Sequence, residues 1–394
     1  MLHDRPARRW AVLSLASALA LAAAPGRADM MLAGVDNKVE FNDQGPVFVA
    51  PGNDLVSVID IGTDPEAPRI VANLPLINSV FGPPTNLAIT PDGRLALVAN
   101  AMNWIADGDG WKPDPDNRIH VIDLTLDPPQ AIGEVEVGRQ PSGLAISRQG
   151  DLALVAHRAD NSVGVLAIED KTVRLVQTVD MGEQVAAVAI APDGRRALVA
   201  KFPGHKIAVL DIAGGRATYD QKQDMPVGLW PYNVKISPDG GLALTADNGN
   251  AGQSDGHVDT VSVIDLEASP PRVIDRIAVG DAPEGLAISP TGRVAVAVLL
   301  KGSAGIPPDR WYYHRNGTVV VLAIDGKSVR RVAEVEVRGL PEGVVFSADG
   351  KYLYVGNFVD GDISILAVDG TTVTNTGRTL ELPGHPGSMG ASTP

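Results

Sequence analysis

A short phrase recurs along this 394-residue chain and limits its fold more than any other feature. A turn ending in glycine leads into an Ala-Leu-Val-Ala type strand. A Val-x-Val-Ile-Asp type strand then follows. The turn glycines are Gly93, Gly150, Gly194, Gly240, Gly292 and Gly350, at intervals of 57, 44, 46, 52 and 58 residues. A period of that size belongs to stacked or radial repeats.

Each unit reads as four short strands. The first is proline-led in most units (Leu87-Ala-Ile-Thr90, Leu286-Ala-Ile-Ser289). The second is of the Leu95–Asn100 and Leu152–His157 type, the third of the Ile119–Asp123 and Val261–Asp265 type. The fourth includes 132–137, 273–279 and 332–337. Both faces are largely apolar and no long helical pattern is available to cover them, so the sheets must cover one another. Antiparallel sheets arranged around an axis do this. The third strand type occurs seven times. The second does so if Val47-Phe-Val-Ala50 is counted, and the first if Pro386–Ser392 is counted. The expectation is an all-β, seven-bladed β-propeller of four-stranded antiparallel blades, closed by the C-terminal strand pairing beside residues 47–50. On this reading residues 1–28 are a leader, 29–44 a lead-in and 45–394 a single propeller domain.

Arg5, Arg8 and Arg9 precede the apolar run Ala11–Ala24, and Ala28 suits the last residue of a secretory leader. The run is too short to span a bilayer comfortably. A periplasmic or secreted chain without a membrane span is expected. Losing residues 1–28 removes four arginines and Asp4 and takes the net charge from −14 to about −17. Such acidity disfavours nucleic acid, whose phosphates need a positive surface. There is no cysteine, so the core and closure of the sheet must hold the fold. Aromatic residues are 4 % of the chain, leaving Val, Ile, Leu and Ala to fill it.

Pro283-Glu-Gly-Leu-Ala-Ile-Ser-Pro-Thr-Gly292, Tyr354-Val-Gly-Asn357, and Leu97-Val-Ala-Asn100 with Ile119-His-Val-Ile-Asp123 resemble the seven-bladed family named for its Tyr-Val-Thr-Asn repeat. That family is related to extracytoplasmic surface-layer and lactonase-like propellers. The resemblance covers about residues 45–392. It implies the fold more than an activity, because such propellers host enzymes, binders and structural proteins.

Candidate functional residues fall into two groups. Insertions at 101–118, 248–260 and 300–318 all join second to third strands and therefore share one face, as binding loops on a rigid scaffold do. The rim so formed carries Trp104, Trp111, His157, Lys201, His205, Trp230, Tyr232, Asn248, His257, Arg310, Trp311, Tyr312, Tyr313, His314 and His385. Aromatic and arginine side chains are common binding anchors. Histidines could bind metal or act as a base, although no two share a ligand-like local motif. Asn100, His157, Lys201, Asn248, Lys301 and Asn357 align at the second-strand ends. Asp107, Asp109, Asp114 and Asp116 lack the order of an EF-hand loop.

The second group lies at the pore entrance, where the repeat places Asn86, Gly143, Ala187, Asn233, Gly285, Gly343 and Ser388, with Glu284 and Glu342 one residue earlier in their units. Asn86, Asn233, Glu284 and Glu342 could hold a hard cation such as calcium, and the resemblance implies an axial metal in lactone-hydrolysing relatives. No other cofactor is specified. The leading expectation is an exported scaffold binding a protein or small ligand on the insertion-bearing rim. The alternative is a metal-dependent lactone hydrolase acting at the central pore.

Overall fold

The computed structural model describes Met1 and residues 29–392. Apart from Met1, the expected leader lies outside the described residues. Among the described residues, no helix is long and apolar enough to cross a membrane.

The strands form seven radial antiparallel sheets and one separate hairpin. Blade one, from the axis outward, is Pro386–Ala391, Met30–Val35, Leu55–Asp60 and Arg69–Leu74. Blades two to seven begin on the axis at Leu87–Ile89, Pro141–Ile146, Val188–Ile190, Pro231–Ile236, Pro283–Ile288 and Pro341–Phe346, and each runs outward through three more strands in chain order. Blade four adds the short strand Met225–Pro226.

The ring closes through the C-terminal strand, but beside a different partner from the one expected. Met31 pairs with Ala391, Ala33 with Met389 and Val35 with Pro386. The second strand of blade one is therefore Met30–Val35 and not 47–50. Residues 47 and 48 instead belong to Gly45–Phe48, which pairs with Val39–Asn42 in a hairpin outside the blades. The 29–44 stretch accordingly supplies a blade strand and half of that hairpin. Val47-Phe-Val-Ala50 misleads because its short apolar run suits any β pairing, while Met-Met-Leu-Ala-Gly-Val lacks the repeat's glycine-ended turn before it.

Seven apolar clusters lie between neighbouring blades. Leu32, Val56 and Val58 meet Leu87, Val98 and Ile122 between blades one and two. Tyr354, Ile363 and Ile365 meet Met31, Ala33 and Ile59 across the closure. Second and third strands are buried on both faces. Fourth strands, such as Gln130–Glu136, are mostly exposed and end the blades with charged residues that discourage edge pairing. In blades one, two, three, five, six and seven the register slips at the same place between third and fourth strands. Such bulges add twist.

The recurrent glycines have a backbone cause. All six turn glycines have φ between 68° and 78°, where a Cβ would be strained. Four of these turns also carry a hydroxyl, on Thr90, Ser147, Ser237 or Ser347, that accepts the amide of the residue opening the next strand. At the axis the small residues have a different cause. A Cβ on Gly143 would lie 2.5 Å from Ala187 Cα, one on Gly343 would lie 2.5 Å from Met389 N, and one on Gly285 would collide with the Glu342 carbonyl. Inner strands of adjacent blades touch there.

Two outcomes are expected. Deleting residues 386–394 exposes the Met30–Val35 edge, so the truncated chain loses its monomer peak in size-exclusion chromatography; a monomer of unchanged melting temperature would contradict ring closure. Gly285→Ala destabilises by about 1–3 kcal/mol through overpacking, whereas Gly133→Ala, with open space around it, stays within about 0.5 kcal/mol in urea unfolding.

Candidate functional site

Four insertions lie on one face, at 36–54, 101–118, 248–258 and 300–317. The first of these contains Val47-Phe-Val-Ala50, expected as a blade-one strand but part of the insertion. The second is a β-ribbon, with Leu95–Asp107 and Gly110–Asp123 paired out to Asp107 and Gly110. Hairpin 39–48 lies against it in an apolar cap that joins Val39, Phe41 and Phe48 to Trp104 of blade two, Leu300 of blade six and Phe358 of blade seven. Lys38 anchors the hairpin. Its Nζ is fully buried, 3.0 Å from Asp36 and 2.6 Å from Asp54, and it also donates to the Asn78 carbonyl. The Trp104 indole donates to Lys38 O at 3.0 Å.

On the same side of the ring, the first residues of the inner strands bring a set of polar groups together. Glu284 and Glu342 are 5 % and 4 % exposed and share a hydrogen bond between their carboxyl groups. Burial pushes Glu284 up to about 7, with the Glu342 hydrogen bond, Arg158 and Asn248 opposing. Burial and then the Glu284 charge push Glu342 well above the usual carboxyl range. Of the two, Glu342 holds its proton more firmly, so the surroundings separate the two carboxyls in acidity. Asn248 Nδ2 donates to Glu284 Oε1 at 3.2 Å. Arg158 Nη1 donates to the Tyr232 hydroxyl at 3.2 Å, and the guanidinium lies over Phe202 and Tyr232, 4.9 and 5.5 Å from their ring centroids. Burial raises Tyr232 to about 12.

Several buried polar atoms at these strand starts have no protein partner: Thr85 Oγ1, Asn86 Oδ1, Ser142 Oγ, Asn233 Oδ1, Glu342 Oε2 and Ser388 Oγ, with Arg158 Nε. Buried polar groups are ordinarily bonded. A cluster of exceptions from five blades marks a place where a polar guest or ordered water completes the bonding.

Asn86 and Asn233, expected as cation ligands, each donate through Nδ2, to Ala99 O at 2.7 Å and Glu284 O at 3.1 Å. Their Oδ1 atoms and Glu342 Oε2 remain unpartnered. These hard oxygen donors fit a calcium-like ion better than zinc. No three His, Cys, Asp or Glu side chains gather to hold a metal among the described residues, so such an ion would rely on amide oxygens beside the two carboxylates.

The expected rim disperses. His157 is fully buried. Its Nε2 accepts from Gly138 N at 3.2 Å and its Nδ1 meets Ser162 Oγ at 3.0 Å, while burial lowers its pKa to about 4. Lys201 is buried against Asp224, Glu183 and Tyr219. Both are interior bonding groups, as are Asn100 and Asn357 at the same strand position. The alignment there needs correction: Asp247 and Leu299 face Pro231 and Pro283 in blades five and six, so Asn248 and Lys301 lie one and two residues further on.

Trp104 is in the cap and Trp111 packs on it. His205 Nδ1 accepts from Trp230 N at 2.9 Å, and Trp230 packs on Phe202. His385 stacks on Phe358 and bonds its carbonyl at 2.7 Å. Asp107, Asp109 and Asp114 are exposed along the ribbon, and Asp116 is buried against Arg118 and Asn100. Four expected residues do converge: His257, Trp311, Tyr312 and His314 line a groove of about 210 Å³ between blades five and six. Arg310 is exposed beside it and Tyr313 half-buried. Of the proposed rim, Tyr232 and Asn248 join the polar group around the carboxyl pair, through Arg158 and Glu284.

Arg158 was missed. The residue following the second strand is Phe202 in blade four and Phe358 in blade seven, so a guanidinium in that place is a detectable break in the repeat.

No protein-family profile matches the chain, and no curated protein matches it. Solved structures do. A 6-phosphogluconolactonase-like propeller from Bacteroides fragilis aligns at TM-score 0.68 and 16 % identity, over 92 % of this chain and 98 % of that one. The periplasmic gluconolactonase of Pseudomonas aeruginosa aligns at 0.67 and 20 %, over 93 % and 99 %. The hydrazine synthase of Kuenenia stuttgartiensis aligns at 0.57 and 21 %, over 75 % and 79 %. At these identities the chain shares their propeller fold.

Proposed function

We propose that this chain is an extracytoplasmic hydrolase of small polar lactones, acting in the axial chamber at the Glu284–Glu342 pair. The observation that carries the reading is that pair itself, one carboxyl held as acid and one as base, among unpartnered buried polar atoms and beside Arg158. The likeness to gluconolactonases supports the substrate class, and the arginine-led apolar leader supports export.

The groups suffice for the chemistry. Glu284 takes a proton from water as its oxygen adds to the lactone carbonyl. Arg158 and the Tyr232 hydroxyl stabilise the resulting oxyanion, as preorganised donors do. The ring C–O bond then breaks, and Glu342 delivers its proton to the leaving alkoxide. The product is the hydroxy acid, and a proton shift along the Glu284–Glu342 hydrogen bond restores the starting state. The 248–256 loop lies against the pair, where a Cβ on Gly252 would lie 3.5 Å from Glu284 Oε1. If calcium takes part, Asn86, Asn233, Glu284 and Glu342 would hold it, and it would supply Lewis-acid polarisation.

A second reading, a binding rim, has its own support in the groove between blades five and six. Trp311 is 78 % and Val258 68 % exposed there, which suits a partner surface better than loop self-packing.

Hydrolysis of glucono-δ-lactone and related γ-lactones, followed by proton release, tests the enzyme reading. Glu284→Gln and Glu342→Gln each lower kcat by about 10²–10⁴, and the wild-type profile has an acid limb near pH 7. Absence of turnover in the wild type, or full activity in both variants, refutes it. Stability should move oppositely. Both carboxyls bind protons more tightly when folded, so their contribution is greatest below about pH 4.5 and is lost as pH rises through 7. Glu342→Gln should raise the melting temperature at pH 8, on the order of 1–3 kcal/mol of stabilisation, and have little effect at pH 4.

A further inference from the structure

The opposite face of the ring opens into a cavity on the axis. It is an axial channel of about 630 Å³, within the range of small-molecule sites. Its wall is a ring of one repeat position: Ile89, Ile146, Ile190, Ile236, Ile288 and Phe346. Its inner end is formed by Thr85 and Asn233, and its mouth by turn residues that include Pro91, Pro192, Pro238 and Pro290.

One residue breaks the pattern. At the position that is Ala88, Ala145, Ala189, Ala287, Val345 and Gly390 in the other blades, blade five carries Lys235. It is half-buried and lines the channel. No hydrogen bond or charge opposes the burial that lowers its pKa to about 8. The other charged side chains lining the channel are Arg148 and Asp349, both beside the turns at the mouth. An unpaired ammonium in an apolar enclosure is unfavourable unless a guest supplies the counter-charge.

We propose that the channel is a binding site for an amphipathic monoanion, a carboxylate or sulfonate on an apolar body, with Lys235 as its anchor. The ring of isoleucines takes the body and the ammonium takes the acid group. The proposal does not rest on the Glu284–Glu342 chemistry, although Asn233 at the channel's inner end also donates to the Glu284 carbonyl. Binding raises the proton affinity of Lys235, so it weakens as pH rises above about 8. Arg148 and Asp349 lie at the mouth, and the pH effect is assigned to Lys235 because Lys235→Met should abolish it.

Calorimetry with decanoate, and displacement of 8-anilinonaphthalene-1-sulfonate fluorescence, test this on the full-length exported chain. Wild type should bind decanoate 1:1 and bind decan-1-ol at least about tenfold more weakly. Lys235→Met should lose that tenfold preference, Lys235→Arg should keep it, and Ala287→Phe should block both ligands by filling the channel. Trp311→Ala serves as a control for binding at the exposed rim and should change nothing. Equal affinity for acid and alcohol in the wild type, an unchanged acid preference in Lys235→Met, or no decanoate binding at all would overturn the proposal. Lys235→Met also removes an unpaired charge, so its melting temperature at pH 7 should not fall; the acid-versus-alcohol comparison in the wild type stands whichever way the variants fold.

Discussion

Everything near the axis depends on the pairing of Pro386–Ala391 with Met30–Val35. Two segments some 350 residues apart complete one sheet, and only then does the seventh apolar interface, Tyr354 and Ile365 against Met31 and Ile59, exist. Without cysteines, no covalent tie substitutes for it. Closure also sets the inner circumference. At that circumference Gly143, Gly285 and Gly343 press against neighbouring backbone, and the side chains that are not small, such as Glu284, Glu342 and Tyr232, are driven together. The chamber is therefore a product of ring size as much as of residue choice.

The molecule holds two kinds of buried charge. Lys38 sits between two aspartates and a carbonyl, each at hydrogen-bonding range, and pins the cap hairpin. Removing either partner from such a network leaves an uncompensated charge. The Glu284–Glu342 pair is the reverse. It is crowded with its own sign, only partly bonded, and surrounded by amide and hydroxyl oxygens with nothing to bond. A fold that satisfies Lys38 and Lys201 so fully leaves a concentration of unpartnered polar atoms around this pair, and buried polar groups left so are costly unless something completes their bonding.

The blades were legible because their period is written twice, in the glycine turns and in the apolar third strands, and both have a strict backbone cause. The first blade was less so: Met30–Val35 has its inner neighbour at the other end of the chain, so no local turn announces it. Once its place was taken by 47–50, the cap hairpin vanished from view. At the site, Glu284 and Glu342 were readable as repeat positions facing the axis, and the structure brings them together. Arg158 has a weak signal in the sequence, a guanidinium in the place where blades four and seven carry Phe202 and Phe358. His157, Lys201 and Asn357 stand at strand ends, which are usually exposed; they are buried against groups of their own blades and of the connections into them, Gly138 and Ser162, Glu183, Tyr219 and Asp224, and Asp362 and Ser364, which the strand pattern alone does not reveal.

The hairpin over residues 39–48 has a consequence for how the molecule is born. It is among the earliest parts of the chain to be synthesised, yet its partners Leu300 and Phe358 are made near the end, and the neighbouring strand Met30–Val35 waits longer still for residues 386–391. Until then an apolar hairpin and an open β-edge stand free together. Apolar surface and unpaired strand edges of this kind make a nascent chain prone to aggregation, and here their burial waits for the last strand.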